Sequence, residues 1–197
     1  MAKIKTARNT TKREVILQHA AALFKTNSYS TTSMRELADA IGVEAPSLYN
    51  HIGSKSELLQ HICFSVGNSF IEKAHKISLT HEPTLSKIES IIRFHIQAMI
   101  DQFNEVYVAN HEWMHLNEPY LSDFLAIRRE YEKSLIDLIE KGISEGSIRT
   151  VNPYVAALTI LSAVRGLEFW QRNKKNINQQ VLEDDMVSLL LKGLIQP

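Results

Sequence analysis

Apolar residues recur every three or four positions along nearly the whole chain, which is the spacing of helices buried on one face. Two capping-box pairs, Thr11 with Glu14 and Ser33 with Glu36, predict where the first two helices begin. Glycine and proline are sparse, at 7 and 5 of 197 residues, which argues against a β-rich protein with many turns. The pattern therefore predicts an all-α protein of about nine helices.

The predicted helices before residue 54 are short, and those after it are long. The first runs from Thr11 to about Thr26, and the second from Ser33 to about Ala40, with Gly42 as its stop. The third covers about residues 45–51. The long helices are predicted at about 55–80, 84–102, 105–116, 121–144, 153–172 and 179–194. We therefore expect two domains, residues 1–54 and residues 55–197.

Two short helices joined by a tight, glycine-containing turn are typical of a helix-turn-helix, whose second helix enters the major groove of DNA. Leu37, Ile41, Val43 and Leu48 have the spacing to form a small core between the two helices. The second helix then exposes hydroxyl, amide and small side chains, which suit phosphates and base edges. An N-terminal arm with basic residues from Lys3 to Arg13 could add phosphate contacts, or could be a solvated tail.

Residues 10–62 resemble the TetR (tetracycline repressor) family of bacterial transcription regulators. The resemblance is carried by T-S-x-R-E-L-A from Thr32, I-G-V from Ile41, S-L-Y from Ser47 and G-S-K-x-E-L-L from Gly53. It implies a non-enzymatic protein that binds a double-stranded DNA operator. The implied DNA contacts are Ser33, Met34, Arg35, Ala45, Pro46, Ser47, Tyr49, Asn50, His51 and Lys55, the last as a phosphate contact. Ser28 stands where a turn glycine is usual in the family, and Gly53 where proline is commoner.

Residues 111–115 read HEWMH, and a helical His-Glu-x-x-His is the zinc-hydrolase arrangement of two metal ligands and a general base. A metal-dependent hydrolase is therefore the alternative function. The extended form of the motif is missing, because Glu118 and Leu121 stand where a glycine and a third histidine would be. We expect the pentapeptide to lie on a helix of the ligand-binding domain without a catalytic zinc or any other cofactor.

The second half of the chain is similar to a TetR branch that includes regulators of fatty-acid and other acyl-CoA degradation. Glutamate at the position of Glu112 and tryptophan at that of Trp170 recur in that branch. The resemblance implies an apolar cavity for a small-molecule effector, such as an acyl-CoA, although each aromatic side chain could equally be ordinary core. The implied ligand-binding residues are Phe94, Met99, Phe103, Tyr107, Glu112, Trp113, Arg128 and Trp170.

Acidic and basic residues balance, at 22 each, and no apolar run reaches the length of a membrane span. A single cysteine, Cys63, fits a reducing cytoplasm. Because a palindromic operator requires a two-fold protein, we expect a homodimer built by the last two long helices. The apolar stripes expected at its interface are Ala156, Ile160, Ala163, Val164 and Leu167, and Val187, Leu190, Leu191 and Leu194.

Overall fold

A computed structural model of the chain describes residues 11–173 and 177–195, and confirms the all-α class. The basic arm before Thr11 lies outside the described residues. Within them, the pairing of Ile148 with Ile195 is an isolated bridge and not part of a sheet. The helices are α1 (Lys12–Asn27), α2 (Met34–Ile41), α3 (Ala45–Tyr49), α4 (Lys55–Ser78), α5 (Thr84–Asp101), α6 (Phe103–His111), a 3-10 turn (Trp113–His115), α7 (Tyr120–Ser144), α8 (Pro153–Arg165), α9 (Leu167–Asn173) and α10 (Gln179–Lys192).

Local capping chemistry sets the ends of the first two helices. Both predicted capping boxes form, one around Thr11 and one around Ser33. Gly42 ends α2 in the left-handed conformation, with φ of 81°, and its N–H donates to the carbonyls of Ala38 and Asp39. A side chain with a Cβ is strained at such a φ, so glycine suits this position.

The chain folds into two compact units, and each of them is built from two separate segments of the sequence. The first unit contains the residues up to Gly67 together with Asn104–Phe124, and the second contains Asn68–Phe103 and the residues from Leu125 onward. A segment more than thirty residues beyond the helix-turn-helix therefore packs in the same unit as it. The predicted domain boundary at residues 54 and 55 stays a prediction.

The core of the first unit gathers apolar residues from α1 to α4 and from the segment 104–124. Leu37 and Leu48, two of the four residues predicted to form the small core between α2 and α3, are each 1% exposed. The prediction was wrong for Val43, which is 38% exposed, and Ile41 is only half-buried. Val43 follows the left-handed Gly42, and its N–H donates to the Ala38 carbonyl, so the chain has already turned away from the α2 core stripe.

The core of the second unit lies among α5, α7 and α8, with isoleucines of α5 such as Ile88 and Ile92 fully buried. An ion-pair network ties α10 to α5, because the Arg93 guanidinium pairs with Glu183 and Asp184 as well as with Glu89. These carboxylates, Glu183 first, raise the pKa of Arg93. The network fixes α10 on the unit's own core.

Six of the nine residues predicted to form a dimer interface belong to the unit's own core, so the prediction was wrong for those six. Residues less than 9% exposed are Ala156, Ile160, Val164, Leu167, Val187 and Leu194. The helices α8, α9 and α10 carry other apolar side chains that remain exposed. The exposed residues of α8 to α10 are Tyr154, Val155, Leu158, Phe169, Val181 and Leu189.

Two predicted long helices are interrupted. The helix predicted from 153 to about 172 is divided at Gly166, whose N–H donates to the Ser162 carbonyl, and it forms α8 and α9. The helix predicted from 105 to about 116 ends as an α-helix at His111. The backbone of Glu112, at φ of −105° and ψ of −2°, leads from α6 into the 3-10 turn.

Candidate nucleic-acid interface and effector site

The start of α2 is fixed by reciprocal hydrogen bonds. The Ser33 hydroxyl accepts from the Glu36 N–H at 3.2 Å, and the Glu36 carboxylate accepts from the Ser33 N–H at 2.7 Å and from the Ser33 hydroxyl at 2.9 Å. These bonds, the backbone one first, lower the pKa of Glu36. Of the predicted contacts here, Ser33 and Arg35 are exposed and Met34 is half-buried. The cap therefore fixes the first turn of α2, which carries Arg35.

The recognition helix α3 has one buried anchor and an exposed polar side. Leu48 is buried, whereas Tyr49 is 52% exposed. Proline in its first turn costs no hydrogen bond, since the first N–H groups of a helix have no partner within it. Of the predicted contacts on α3 and the turn after it, Ala45 is half-buried and the following are exposed: Pro46, Ser47, Tyr49, Asn50 and His51. The exposed residue types match those that contact DNA backbone and base edges.

Lys55 at the start of α4 binds the loop that precedes α2. Its Nζ donates to the carbonyls of Tyr29 and Thr32, each at 2.9 Å, and to that of Ser30 at 3.4 Å. The same Nζ lies 4.4 Å from the centroid of the Tyr29 ring. The predicted phosphate contact was thus only one possible role for this ammonium. Its role in fixing the loop was missed, because Tyr29 is 26 residues away in sequence.

Glu57 is a second residue that the sequence did not single out. Its carboxylate accepts from the Gly53 N–H at 2.8 Å and from Arg13 of α1 at 3.2 Å. The Gly53 bond, ahead of the nearby charges of His61 and Arg13, lowers the pKa of Glu57. The arrangement joins α1 to the turn between α3 and α4, so it helps to hold the recognition helix in place.

The HEWMH segment does not form the arrangement predicted for it. His111 ends α6 with its ring against Tyr107, at a centroid distance of 4.3 Å, while His115 lies in the 3-10 turn with its ring stacked on Tyr29 at 5.3 Å. His111 and His115 lie in different elements, so the prediction of a single helix was wrong. All three motif residues belong to the first unit. The Glu112 carboxylate, largely buried, lies 3.4 Å from His115 Nε2. No group of three potential metal ligands is found among the described residues.

The predicted ligand-binding residues are divided between the units. Tyr107, Glu112 and Trp113 lie in the first, and the second holds Phe94, Met99, Phe103, Arg128 and Trp170. In the second unit, Gln171 of α9 donates to the Met99 carbonyl of α5 at 2.8 Å, which joins two of the helices that carry predicted residues. The Trp170 indole N–H is buried and has no hydrogen-bond partner among the described residues.

A buried polar pair in the second unit was missed. His95 of α5 and Tyr131 of α7 share a 2.7 Å hydrogen bond between imidazole Nε2 and phenol oxygen, and the Phe70 ring packs on both. Burial, with a smaller effect from the charge of Arg165, lowers the pKa of His95 to about 3. Burial also raises the pKa of Tyr131. Both groups are therefore uncharged at neutral pH.

Comparisons with known proteins agree with this geometry. Residues 16–62 match the family described as "Bacterial regulatory proteins, tetR family", and residues 81–194, more than half of the chain, match "Tetracyclin repressor-like, C-terminal domain". The HTH-type transcriptional repressor KstR2 of Rhodococcus jostii is 26% identical over 195 residues, covering 94% of this chain and 92% of that protein.

Two solved structures extend the likeness to three dimensions. The crystal structure of AibR in complex with isovaleryl coenzyme A and operator DNA has a TM-score of 0.81 at 25% identity, covering 92% of this chain and 98% of that one. KstR2 of Mycobacterium tuberculosis has a TM-score of 0.89 at 20% identity, covering 96% and 98%.

The comparisons decide between the two functions that the sequence left open. The hydrolase alternative has no support, while both family matches describe regulators. None of the described helices has the length and apolar character needed to cross a bilayer. The helix-turn-helix, its exposed recognition face and the family matches agree, and the chain belongs to the TetR family of DNA-binding transcriptional regulators.

Proposed function

We propose that this chain is a cytoplasmic homodimeric repressor whose hold on its operator is released by an acyl-CoA-type effector. Two relatives support the proposal: KstR2 is a repressor, and AibR binds both isovaleryl coenzyme A and operator DNA. The mechanism is linkage. An effector that binds more tightly to a conformation with poorly spaced recognition helices weakens DNA binding by its differential affinity for the two states.

The observation that carries the effector proposal is the indole N–H of Trp170. A buried indole N–H normally finds an acceptor, and leaving a buried donor unpaired costs free energy. This N–H is buried without a partner among the described residues. An acyl-CoA offers suitable acceptors in its thioester and amide carbonyls. We assign the N–H to one of these carbonyls.

The helix α9, which carries Trp170, packs on α5, and the apolar side chains of α5 suit the acyl part of such a molecule. The Gln171 side chain joins α9 to α5 at Met99, a residue only 2% exposed, and Phe94 lies on the same helix. Apolar side chains with few polar groups are usual for small-molecule sites. Arg128 of α7 is our candidate for an effector phosphate.

The exposed apolar side chains of α8 to α10 support the homodimer. Leu158 is 48% exposed, Phe169 71% and Leu189 73%, although this face belongs to helices with a well-formed core. Large apolar side chains that remain exposed are typical of an interaction surface. Contact with the same face of a second copy would bury them and give the two-fold symmetry that a palindromic operator needs.

The effector proposal is tested by fluorescence anisotropy with a labelled duplex from the promoter region of the chain's own gene. Isovaleryl-, octanoyl- and palmitoyl-CoA are titrated against the complex, with free coenzyme A as the control. We expect one or more acyl-CoAs to release the DNA. Trp170→Phe, which keeps the ring and removes the N–H, should need about tenfold more effector, as expected for one lost buried hydrogen bond.

Tyr120→Phe is the matched control, because it likewise keeps the ring and removes one polar group, here the hydroxyl of an exposed residue of the first unit. Operator binding without release by any acyl-CoA would remove the proposed effector class and leave the repressor. A duplex that binds no more tightly than random DNA would contradict the repressor proposal for this promoter.

The homodimer is tested by light scattering at micromolar concentration. Leu189→Lys should shift the protein toward monomer and weaken operator binding, because it places a charge on the proposed interface. Leu79→Lys is the control, since Leu79 is similarly exposed, at 68%, but lies beyond the end of α4. A monomeric wild type, or equal dimerisation of both variants, would contradict the proposed face.

A further inference from the structure

The loop between α1 and α2 connects the DNA-binding helices to a distant part of the chain. In this loop, residues 28–33, Tyr29 is the aromatic centre. Its ring packs edge-on against Phe24 of α1 at 5.2 Å and stacks on His115 at 5.3 Å with an interplanar angle of 25°. Lys55 contacts the same ring and three carbonyls of the loop. The Tyr29 side chain is thus contacted by residues of α1, α4 and the 3-10 turn.

This loop leads directly into the bracing helix. Ser33 caps α2 only four residues after Tyr29. Internal hydrogen bonds make the loop stiff, since the Thr32 hydroxyl donates to the Ser28 carbonyl at 2.8 Å and the Thr31 hydroxyl donates to the Asn27 carbonyl. A stiff loop passes a displacement of Tyr29 to the start of α2 instead of absorbing it.

The His115 imidazole also contacts its own turn and the loop through one ring nitrogen. Its Nε2 lies 3.4 Å from the Glu112 carboxylate and 3.4 Å from the Ser30 hydroxyl. Glu112 is only 9% exposed, so it provides a fixed support for the imidazole. The segment 104–124 enters from α5 and leaves into α7, the helices that carry Met99 and Arg128 of the proposed effector site.

We infer that His115 is a positioning residue for DNA recognition: its ring stacks on Tyr29 and fixes the loop that places α2. A change in the segment 104–124 would reach the helix-turn-helix through this contact. The inference rests on the proposed function only in that operator binding must exist to be measured. The HEWMH segment thus acquires a role through stacking rather than through metal chemistry.

The test compares His115→Ala with His115→Phe, using operator anisotropy together with hydrogen exchange of the amides in residues 28–36. We expect His115→Ala to weaken operator binding about three- to tenfold, the range of an aromatic pair interaction. We also expect faster exchange in residues 28–36. His115→Phe, which keeps a ring for stacking, should stay within twofold of the wild type in affinity.

Met114→Ala is the control, because Met114 belongs to the same 3-10 turn and is 59% exposed. Tyr29→Leu removes the other ring of the stack. If the two rings act together, combining it with His115→Ala should cause no further loss of operator affinity. Melting temperatures of all variants are compared, so that a general loss of stability is distinguished from a displaced loop.

Each outcome decides the inference. Unchanged affinity and exchange in His115→Ala, with an operator-binding wild type, would overturn it and leave the proposed function intact. A His115→Phe variant as weak as His115→Ala would overturn the role of stacking. Failure of the wild type to bind the promoter duplex would instead contradict the proposed function.

Discussion

The recognition region and the interior of the second unit use polar groups in opposite ways. Around α3, one leucine is buried and the side chains of Tyr49, Asn50 and His51 face solvent, where DNA could contact them. In the second unit, His95 and Tyr131 are both less than 9% exposed and satisfy each other. The first arrangement leaves hydrogen-bonding capacity for a partner, while the second uses it internally.

The difference reflects how each region obtains its rigidity. A recognition surface needs polar groups that exchange water for DNA, so its rigidity has to come from caps and a few buried contacts beneath it. A buried polar pair stabilises one packing arrangement strongly, because an unpaired member would be costly. Substitutions under the recognition face should therefore affect folding, and those on it should affect binding alone.

The largest effect is expected at Leu48, which anchors α3 and is 1% exposed. Leu48→Ala should destabilise the first unit by about 2 to 5 kcal/mol and abolish operator binding, because a short helix has few other buried contacts. Tyr49→Ala, one residue further and 52% exposed, should weaken operator binding while leaving the melting temperature nearly unchanged. Denaturant unfolding and anisotropy of both variants check the pair, and equal stability losses would contradict the contrast.

Acidification should affect the second unit through His95. Its pKa is lowered to about 3 in the folded protein, so between that value and about 6.5 the unfolded chain binds the additional proton. Stability is therefore lost as the pH falls through this window, by about 2 kcal/mol at pH 5 for this group. His95→Gln, which keeps an amide for Tyr131 and does not titrate, should lose less stability between pH 7 and pH 5.

His75→Gln is the matched control for that experiment, since His75 is an exposed histidine of the same unit. Urea unfolding at both pH values measures the difference. An acid sensitivity of His95→Gln equal to that of the wild type would show that other groups cause the pH dependence.

Local signals made the DNA-binding helices predictable. The capping box at Ser33 and the glycine at 42 place α2 within a residue of its observed bounds, and Pro46 marks the first turn of α3. These signals act over three or four residues, so they can be read from the sequence. Val43 was misplaced because the turn after Gly42 breaks the helical period on which the prediction relied.

Long-range contacts could not be predicted in the same way. The His95–Tyr131 bond joins residues 36 positions apart, and the stack of His115 on Tyr29 joins two residues of the first unit that are much farther apart in the sequence. Each residue alone is compatible with core, surface or site. The end of α6 at His111 also lacked a signal, since neither glycine nor proline occurs within HEWMH. Packing, and not local propensity, decides these features.

A moderate gain in stability is expected at Ser28, which has φ of 70° and ψ of 157°. This backbone region is accessible almost only to glycine, and a residue with a Cβ is strained there. Ser28→Gly should stabilise the first unit by about 1 kcal/mol, measured by urea unfolding. Ser30→Gly, in the same loop without a positive φ, is the control and should not stabilise the protein.

The smallest effect is expected at Lys55. Its substitution tests whether this residue contacts DNA directly or only positions the loop before α2. If its ammonium contacts a phosphate, Lys55→Met should lower the slope of log affinity against log salt by about 0.9. The three loop carbonyls bound by Nζ favour a positioning role, for which affinity falls about threefold. In that case the slope of log affinity against log salt stays unchanged.

Arg35→Met is the control, because Arg35 is exposed at the start of α2 and a phosphate contact there would reduce the slope. Anisotropy titrations from low to moderate salt measure both slopes. A slope lowered by about 0.9 in Lys55→Met would show that the Lys55 ammonium contacts a DNA phosphate.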